Sequence, residues 1–270
     1  MHFKKFVVSL LALAVASVAL AAQRGGGGYY GIRRPAADTF KGDFTFCRLA
    51  FRSSGRGYGG GWGVDYPRAD QNLSIRLSEL SDAAVDFDER GTPNYVVIQA
   101  TEPELFKCPF LMVTNHGNAS FAPDEVEALR ANLKKGGFMW ADDAWGSAAW
   151  DNWLDELRTI LPPSEYPLVD LPINHSIFRM MFEAKRIPQI PNIGFFRGSG
   201  GQTSERYEDS RTPHAYALTD SSGRIVVLTT HNTDFGDAYE RESDDPEFFY
   251  RFSVEGYAIG INILLYSMMH

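Results

Sequence analysis

The amino-acid sequence predicts an α/β fold with a mainly parallel sheet and helices on both faces. Two observations support this prediction. Short apolar segments typical of strands alternate with helical segments between residues 44 and 160, and such alternation is typical of βαβ units. The segment FLMVT at 110–114 is apolar at nearly every position, as expected for a strand that is covered on both faces.

The first half of the chain carries the clearest element signals. Strands are predicted at 44–51, 95–99, 110–114 and 138–141. A first helix is predicted to begin with Asp70 as its N-cap and to place leucines on one face. A second is predicted with Pro123 in its first turn and with Lys134 and Lys135 in its last turn, before the Gly136-Gly137 pair. A third is predicted over about 147–160.

The second half gives weaker signals up to residue 202, and then a hairpin. Strands at 214–219 and 224–230 flank a turn at Asp220–Gly223. Pro246 opens the last helix, which is apolar nearly all round from Tyr257 to Met269. This pattern predicts a helix buried against the sheet. Glu255 and Asn262 interrupt the apolar run, so we predict no membrane span once the leader is removed.

The N-terminus is typical of a secretory signal. Lys4 and Lys5 precede an apolar run, and small residues around Ala21 supply a cleavage site. We predict a signal peptide at 1–21, a flexible Gly/Arg-rich segment at 22–41 and one domain at 42–270. The protein is therefore expected to be exported, either periplasmic or secreted. A retained anchor is the alternative, but the apolar run is short for a span.

Composition and cysteine content narrow the function classes. The net charge is −8 and no Lys/Arg stripe is present, which argues against nucleic-acid binding. Export would permit a disulfide between Cys47 and Cys108. Each cysteine lies in or beside an apolar segment, where a free cysteine behaves as a small hydrophobe. Free thiols are therefore favoured, and a disulfide is the alternative. No cofactor is predicted.

Polar side chains follow several predicted strands, and ligands of parallel sheets bind at the carboxyl ends of strands. Candidates for catalysis are His116, Asp142 and Asp143. Candidates for ligand binding lie in the Gly-rich loop after the first strand and at later strand ends: Arg52, Trp62, Asp65, Tyr66, Arg68, Asn115, His116, Asp143, His231 and Asp234.

Each of these features has an alternative interpretation. The Gly-rich loop could bind an anion, or only pack Trp62 and Tyr66 against the domain. Asp142 and Asp143 could be helix caps, metal ligands or partners of His116 in acid–base chemistry. No Walker, H-E-x-x-H or G-x-S-x-G motif is present, so we assign no metal and no serine nucleophile.

Three segments resemble a bacterial family of unknown function, numbered four-one-five-nine: FCRLAFRSSGRGYGGGWGVDYPRADQNL, FLMVTNHGNASFAPDEVEALRANLKKGGFMWADDAWG and YAIGINILLYSM. The resemblance covers Phe44 to the C-terminus. It implies the flavodoxin-like fold of class I glutamine amidotransferases. In those enzymes a nucleophilic Cys follows a strand, whereas the corresponding turn here, Asp142–Trp145, has none. The resemblance therefore implies loss of glutaminase chemistry. Family members often accompany MoxR-type ATPases and von Willebrand A proteins, which implies a role in envelope or complex assembly.

Three functions remain open on the sequence. The favoured one is a non-catalytic, amidotransferase-like domain that binds a small polar ligand or an envelope protein at the carboxyl ends of its strands. Stacking aromatics such as Trp62 and Trp145 would suit such a ligand. The alternatives are a hydrolase that uses His116 with Asp142 or Asp143, with or without a metal, and an envelope assembly or scaffold protein.

Overall fold

The computed structural model describes residues 31–56 and 59–270. Its centre is a seven-stranded sheet. The strands of this sheet are β1 Phe46–Ala50, β3 Tyr95–Gln99, β4 Phe110–Thr114, β6 Phe138–Asp142, β7 Leu168–Asp170, β8 His214–Thr219 and β9 Ile225–His231. They lie in the order β3-β1-β4-β6-β9-β8-β7. A separate antiparallel pair joins β2 Arg52–Ser53 to β5 Ala119–Ser120.

Five neighbouring strands of the large sheet are parallel: β3, β1, β4, β6 and β9. In chain order these five lie 2-1-3-4-5, which is the flavodoxin-like arrangement. The hairpin partner β8 and the edge strand β7 extend the sheet in antiparallel fashion. The predicted α/β fold with a mainly parallel sheet is therefore confirmed, together with the predicted hairpin.

Helices cover both faces of the sheet. The helices are α1 Arg68–Leu80, α2 Pro123–Lys134, α3 Gly146–Ile160, α4 Ile193–Gly198, α5 Phe235–Glu240, α6 Pro246–Phe248 and α7 Val254–Met269. Phe110 and Met112 of β4 pack with α1, α5 and α7, whereas Leu111 and Val113 pack with α2 and α3. Successive side chains of a strand point to opposite faces, so an apolar strand supplies both cores.

The last helix is a core element of this domain. A π-helical turn at Phe249–Ser253 joins α6 to α7, so one helix runs over Pro246–Met269. It is the one helix in the described part of the chain that is long and apolar enough to cross a membrane, and 61% of its apolar 18-residue stretch is buried. Inside it, Asn262 is fully buried and donates to the carbonyl of Phe182. This burial agrees with the predicted packing against the sheet.

The predicted N-cap of α1 is wrong. The helix begins at Arg68 after Pro67, and no side chain caps it. Asp70 is fully buried in its first turn, where both carboxylate oxygens accept hydrogen bonds from Arg48 Nε at 3.1 and 3.0 Å. The side chain of Asp70, which the sequence predicted as the helix cap, thus binds the buried guanidinium of Arg48 on β1 instead.

The two cysteines are bonded to each other. Cys47 on β1 and Cys108, just before β4, form a disulfide, and both residues are fully buried. Of the two alternatives that the sequence left open, the structure has the disulfide. The apolar surroundings that favoured free thiols are present as well, because the bond lies inside the core between the sheet and α2 and α3.

The described part of the N-terminal segment lies against the edge of the sheet. The carbonyl of Arg33 accepts a hydrogen bond from the amide of Val97 on β3 at 2.8 Å. The amide of Arg33 donates to the Tyr66 hydroxyl at 2.9 Å. The predicted signal peptide and the start of the predicted flexible segment lie outside the described residues.

Candidate ligand-binding site

A cavity of about 310 Å³ opens at the carboxyl ends of three adjacent parallel strands, β4, β6 and β9. The residues that follow these strands supply its floor, and the loop after β1 and a segment from the weakly patterned region supply its walls. The polar lining consists of Asp65, Asn115, Asp143, Asn192, Glu205, Arg206 and Asp234. Its volume is near the lower limit of small-molecule sites, roughly 300–1,000 Å³.

Unusual backbone conformations are concentrated around this cavity. Asn115, Asp143 and Asn232 directly follow β4, β6 and β9, and each has a positive φ, between 55° and 59°. Asp65 has a φ of 61°. Asn and Asp tolerate this left-handed region better than other residues with side chains. Such conformations cluster at functional sites, and here they turn polar side chains toward the ends of the strands.

The wall after β1 is held by Asn115. Its Oδ1 accepts a hydrogen bond from the amide of Gly61 at 3.0 Å. Gly59 has a φ of 105°, and a Cβ at this position would overlap the Asn115 side-chain amide. Glycine is therefore required at position 59 by both its backbone and its neighbour. The Gly-rich loop serves to bring Asp65 over the strand ends.

The cavity is acidic, and its carboxyl groups repel one another. Burial raises the pKa of Asp65 well above its usual value, and the charges of Asp237 and Asp143 raise it further. Burial followed by the charge of Asp142 does the same to the pKa of Asp143. Burial followed by the charge of Asp65 raises the pKa of Asp234. The raised pKa values favour the neutral, protonated form of these carboxyl groups. A cation that binds among them would therefore displace protons.

Asp142 and His116 belong to the core beneath the cavity. The Asp142 carboxylate accepts hydrogen bonds from the Thr230 hydroxyl and from the amides of Phe235 and Gly236, which begin α5. His116 Nδ1 lies 3.0 Å from the backbone oxygen of Asp142, to which it donates. Burial lowers the pKa of His116 to about 3. The histidine is therefore neutral and contacts the peptide group of Asp142, not its carboxylate.

The sequence matches a family described as "Domain of unknown function (DUF4159)" over residues 45–268. The chain belongs to this family. No curated protein matches the chain. The family match spans β1 to α7 and so contains every residue that lines the cavity.

The cavity of this DUF4159 domain contains only some of the predicted ligand-binding residues. Asp65, Asn115, Asp143 and Asp234 line it together. Five others lie elsewhere in defined contacts: Arg52 pairs with Glu125, Trp62 and Tyr66 pack edge-to-face, Arg68 donates to Ser243, and His231 packs on Trp150. The loop aromatics thus take their alternative role of packing against the domain.

Three lining residues of the DUF4159 domain were missed by the sequence analysis. Asn192, Glu205 and Arg206 come from the weakly patterned region, where no periodicity pointed to a site. The only available signal was Asn192 itself, because an Asn before an apolar pair is typical of an N-cap. Its Oδ1 does cap α4 by accepting from the amide of Gly194 at 2.8 Å.

Asp142 is expected to make the stability of the DUF4159 domain depend on pH. Burial raises its pKa to about 7, whereas an unfolded Asp titrates near 4. The folded state therefore holds an extra proton between about pH 4 and 7, and this contribution to stability is lost as the pH rises, by at most about 1.4 kcal/mol per pH unit. Urea unfolding at stepped pH should show Asp142→Asn to have a flatter profile than wild type over this window.

An Asn at position 142 can still accept from the amides of Phe235 and Gly236 with its Oδ1 and can donate to the Thr230 hydroxyl oxygen with its Nδ2, so this variant is expected to fold. Asp155→Asn on the exposed face of α3 serves as the matched control, because the Asp155 side chain is 65% exposed. Parallel pH profiles for wild type and Asp142→Asn would contradict the assignment of the raised pKa to this carboxyl group.

Proposed function

We propose that this chain is an exported, non-catalytic, amidotransferase-like domain that binds a small polar ligand with a positively charged group. The observation that carries the proposal is the convergence of Asp65, Asp143, Asp234 and Glu205 on one cavity at the carboxyl ends of the strands. Their mutual repulsion favours a ligand that brings positive charge. The lining does not suit the anion that the Gly-rich loop alone would suggest.

The geometry of the turn after β6 supports a role without thioester chemistry. Asp143 follows the strand directly, has a φ of 59° and precedes α3. A sharp strand-to-helix turn of this kind carries the nucleophile in hydrolases with an elbow. Here it carries a carboxyl group that faces Asn115 and Trp145. Both cysteines of the chain are in the disulfide, so neither supplies a thiol.

Export is supported by the same disulfide. Buried structural disulfides persist mainly in oxidising compartments, and Cys47 and Cys108 are fully buried. The alternative hydrolase is less well supported, because neither His116 nor Asp142 lines the cavity and the two side chains do not pair. An envelope protein partner and an assembly role stay predictions.

A panel of small molecules should separate cationic ligands from others. We expect putrescine, spermidine, lysine or arginine to raise the melting temperature of the purified protein, because a ligand that binds only the folded state stabilises it. Glutamate, citrate and neutral sugars should have no effect. At a ligand concentration 100 times the dissociation constant, the stabilisation is about 2.7 kcal/mol, which is about 5–10 °C for a domain of this size.

Asp143→Asn is the variant that locates the binding. It removes one charge from the cavity wall and retains the shape and the left-handed backbone that Asn tolerates. The shift caused by the cationic ligand should fall in this variant and persist in Asp155→Asn. Equal shifts in both variants, or stabilisation by anions alone, would remove the proposal.

A further inference from the structure

Three carboxyl groups at the rear of the cavity are close enough to share one ion. Asp65 ends the Gly-rich loop, whereas Asp234 and Asp237 lie at the start of α5. One carboxylate oxygen from each lies within 4.8 Å of those from the other two. Asp65 and Asp234 also line the cavity, so an ion could reach this cluster from solvent. Below, these three residues are called the rear cluster.

Two oxygens of the rear cluster are buried without a hydrogen bond. They are Asp65 Oδ2 and Asp237 Oδ1. Asp237 is fully buried, and only its other oxygen accepts a hydrogen bond, from the amide of Ile193 at 2.6 Å. A buried acceptor without a partner costs about 1–3 kcal/mol, more if charged. Neither oxygen accepts a hydrogen bond from any described residue, and a bound cation would supply the missing partner.

Two arginines of the described residues lie near this cluster, and each is shared with other carboxylates. Arg241 Nε lies 3.6 Å from Asp237 Oδ1, but the same guanidinium also pairs with Glu240 and Asp244. Arg48 contributes attraction to Asp65, yet its guanidinium is taken by Asp70. The rear cluster therefore has more carboxyl groups than nearby arginines available to pair with them.

The backbone at the start of α5 permits this close approach. A Cβ at Gly236 would overlap Asp65 Oδ2 and would lie 3.2 Å from Asp234 Oδ1. Both carboxyl groups therefore face the space above the same glycine. Asp234 also fixes the first turn, because its Oδ1 accepts from the amide of Asp237 at 2.9 Å.

We propose that Asp65, Asp234 and Asp237 bind one Ca²⁺ ion. Calcium takes carboxylate oxygens at about 2.3–2.6 Å, so two ligands on opposite sides of the ion are up to about 5 Å apart. Magnesium binds at about 2.0–2.1 Å, which requires a separation of about 4.2 Å or less. The carboxylate oxygens of the rear cluster lie within 4.8 Å of one another, which is close to the separations that the ligands of one Ca²⁺ ion have. This inference goes beyond the proposed organic ligand and does not depend on it.

Calorimetric titration of CaCl₂ into chelator-treated protein tests the site. We expect one Ca²⁺ per chain with a dissociation constant at or below about 1 mM, as in extracellular modules, and at least tenfold weaker binding of MgCl₂. Asp65→Asn should weaken Ca²⁺ binding at least about tenfold, since affinity follows the number of charged ligands. Asp155→Asn should bind as wild type does.

Asp65→Asn is a safe variant to interpret. Asp65 Oδ2 accepts no hydrogen bond from the described residues, and Asn tolerates the positive φ of this position. Its melting temperature in EDTA should be no lower than that of wild type. No Ca²⁺ binding up to 10 mM, or equal binding by Asp65→Asn, would overturn the proposal.

The calcium site and the proposed organic ligand can be disproved independently of each other. If putrescine or arginine stabilises the protein through Asp143 while Ca²⁺ does not bind, the calcium site falls and the proposed function stands. If Ca²⁺ binds through Asp65 while no organic cation has an effect, the calcium site stands and the proposed function falls.

Discussion

Replacing Arg48 with Met is expected to lower the free energy of unfolding by about 3–5 kcal/mol, because it leaves Asp70 buried without a counter-charge. Arg48 and Asp70 are 1% and 0% exposed, and the guanidinium also donates to the carbonyls of Trp62 and Val64 at 3.0 Å. The substitution therefore removes an ion pair and also releases the wall that carries Asp65. Urea unfolding should give the loss directly.

The double variant Arg48→Met with Asp70→Leu should recover part of this loss, since removing both charges avoids the stranded carboxylate. Recovery should be incomplete, because the carbonyls of Trp62 and Val64 lose their donor. Arg158→Met is the matched control: Arg158 pairs with Asp155 on the surface, where ion pairs contribute little. If Arg48→Met is as stable as Arg158→Met, the buried ion pair does not stabilise the fold.

Removing the disulfide by Cys47→Ala with Cys108→Ala is expected to cost about 4 kcal/mol. The bond closes a loop of 61 residues, and the entropy lost by the unfolded chain grows with the length of the loop. For a domain of this size the loss corresponds to a fall of about 8–16 °C in melting temperature. Thermal unfolding followed by circular dichroism gives this value.

Thiol titration provides the control for this result. The denatured, unreduced protein should contain no titratable thiol, since both cysteines of the chain are paired. The folded protein should resist mild reductant because both sulfurs are buried. Two free thiols in the denatured protein, or an unchanged melting temperature in the double variant, would contradict the assignment.

Local sequence signals were sufficient where a segment's structure depends on its own pattern. The helix Pro123–Lys134 was predicted with its start correct and its end within one residue, because its proline, acidic first turn and terminal glycines are all local signals. The strand at 110–114 was equally clear, since continuous burial imposes an apolar side chain at every position. The hairpin around Asp220–Gly223 follows from its turn chemistry.

Local signals failed where the contacts of a side chain are with residues that are distant in the sequence. Asp70 has the position of a helix cap but binds Arg48, which is 22 residues away. The Asp142 carboxyl group caps α5, which begins 93 residues later. Asp142 ends β6 and lies in the core, whereas the next residue, Asp143, lines the cavity; likewise Asn115 lines the cavity and the next residue, His116, does not. Neighbouring residues at the end of a strand point in different directions, so a shift of one residue decides whether a side chain lies in the core or in the cavity. Hydrophobic periodicity does not predict that direction.

The sequence by itself determined the α/β fold, the parallel sheet and the edge of that sheet at which polar groups collect. These features follow from hydrophobic periodicity and from the rule that parallel strands end on one side. Only the tertiary structure decided the pairing of Cys47 with Cys108 and the identity of the lining residues. It also brought Asp65 to Asp234 and Asp237, because proximity between residues far apart in the chain depends on how the loops pack.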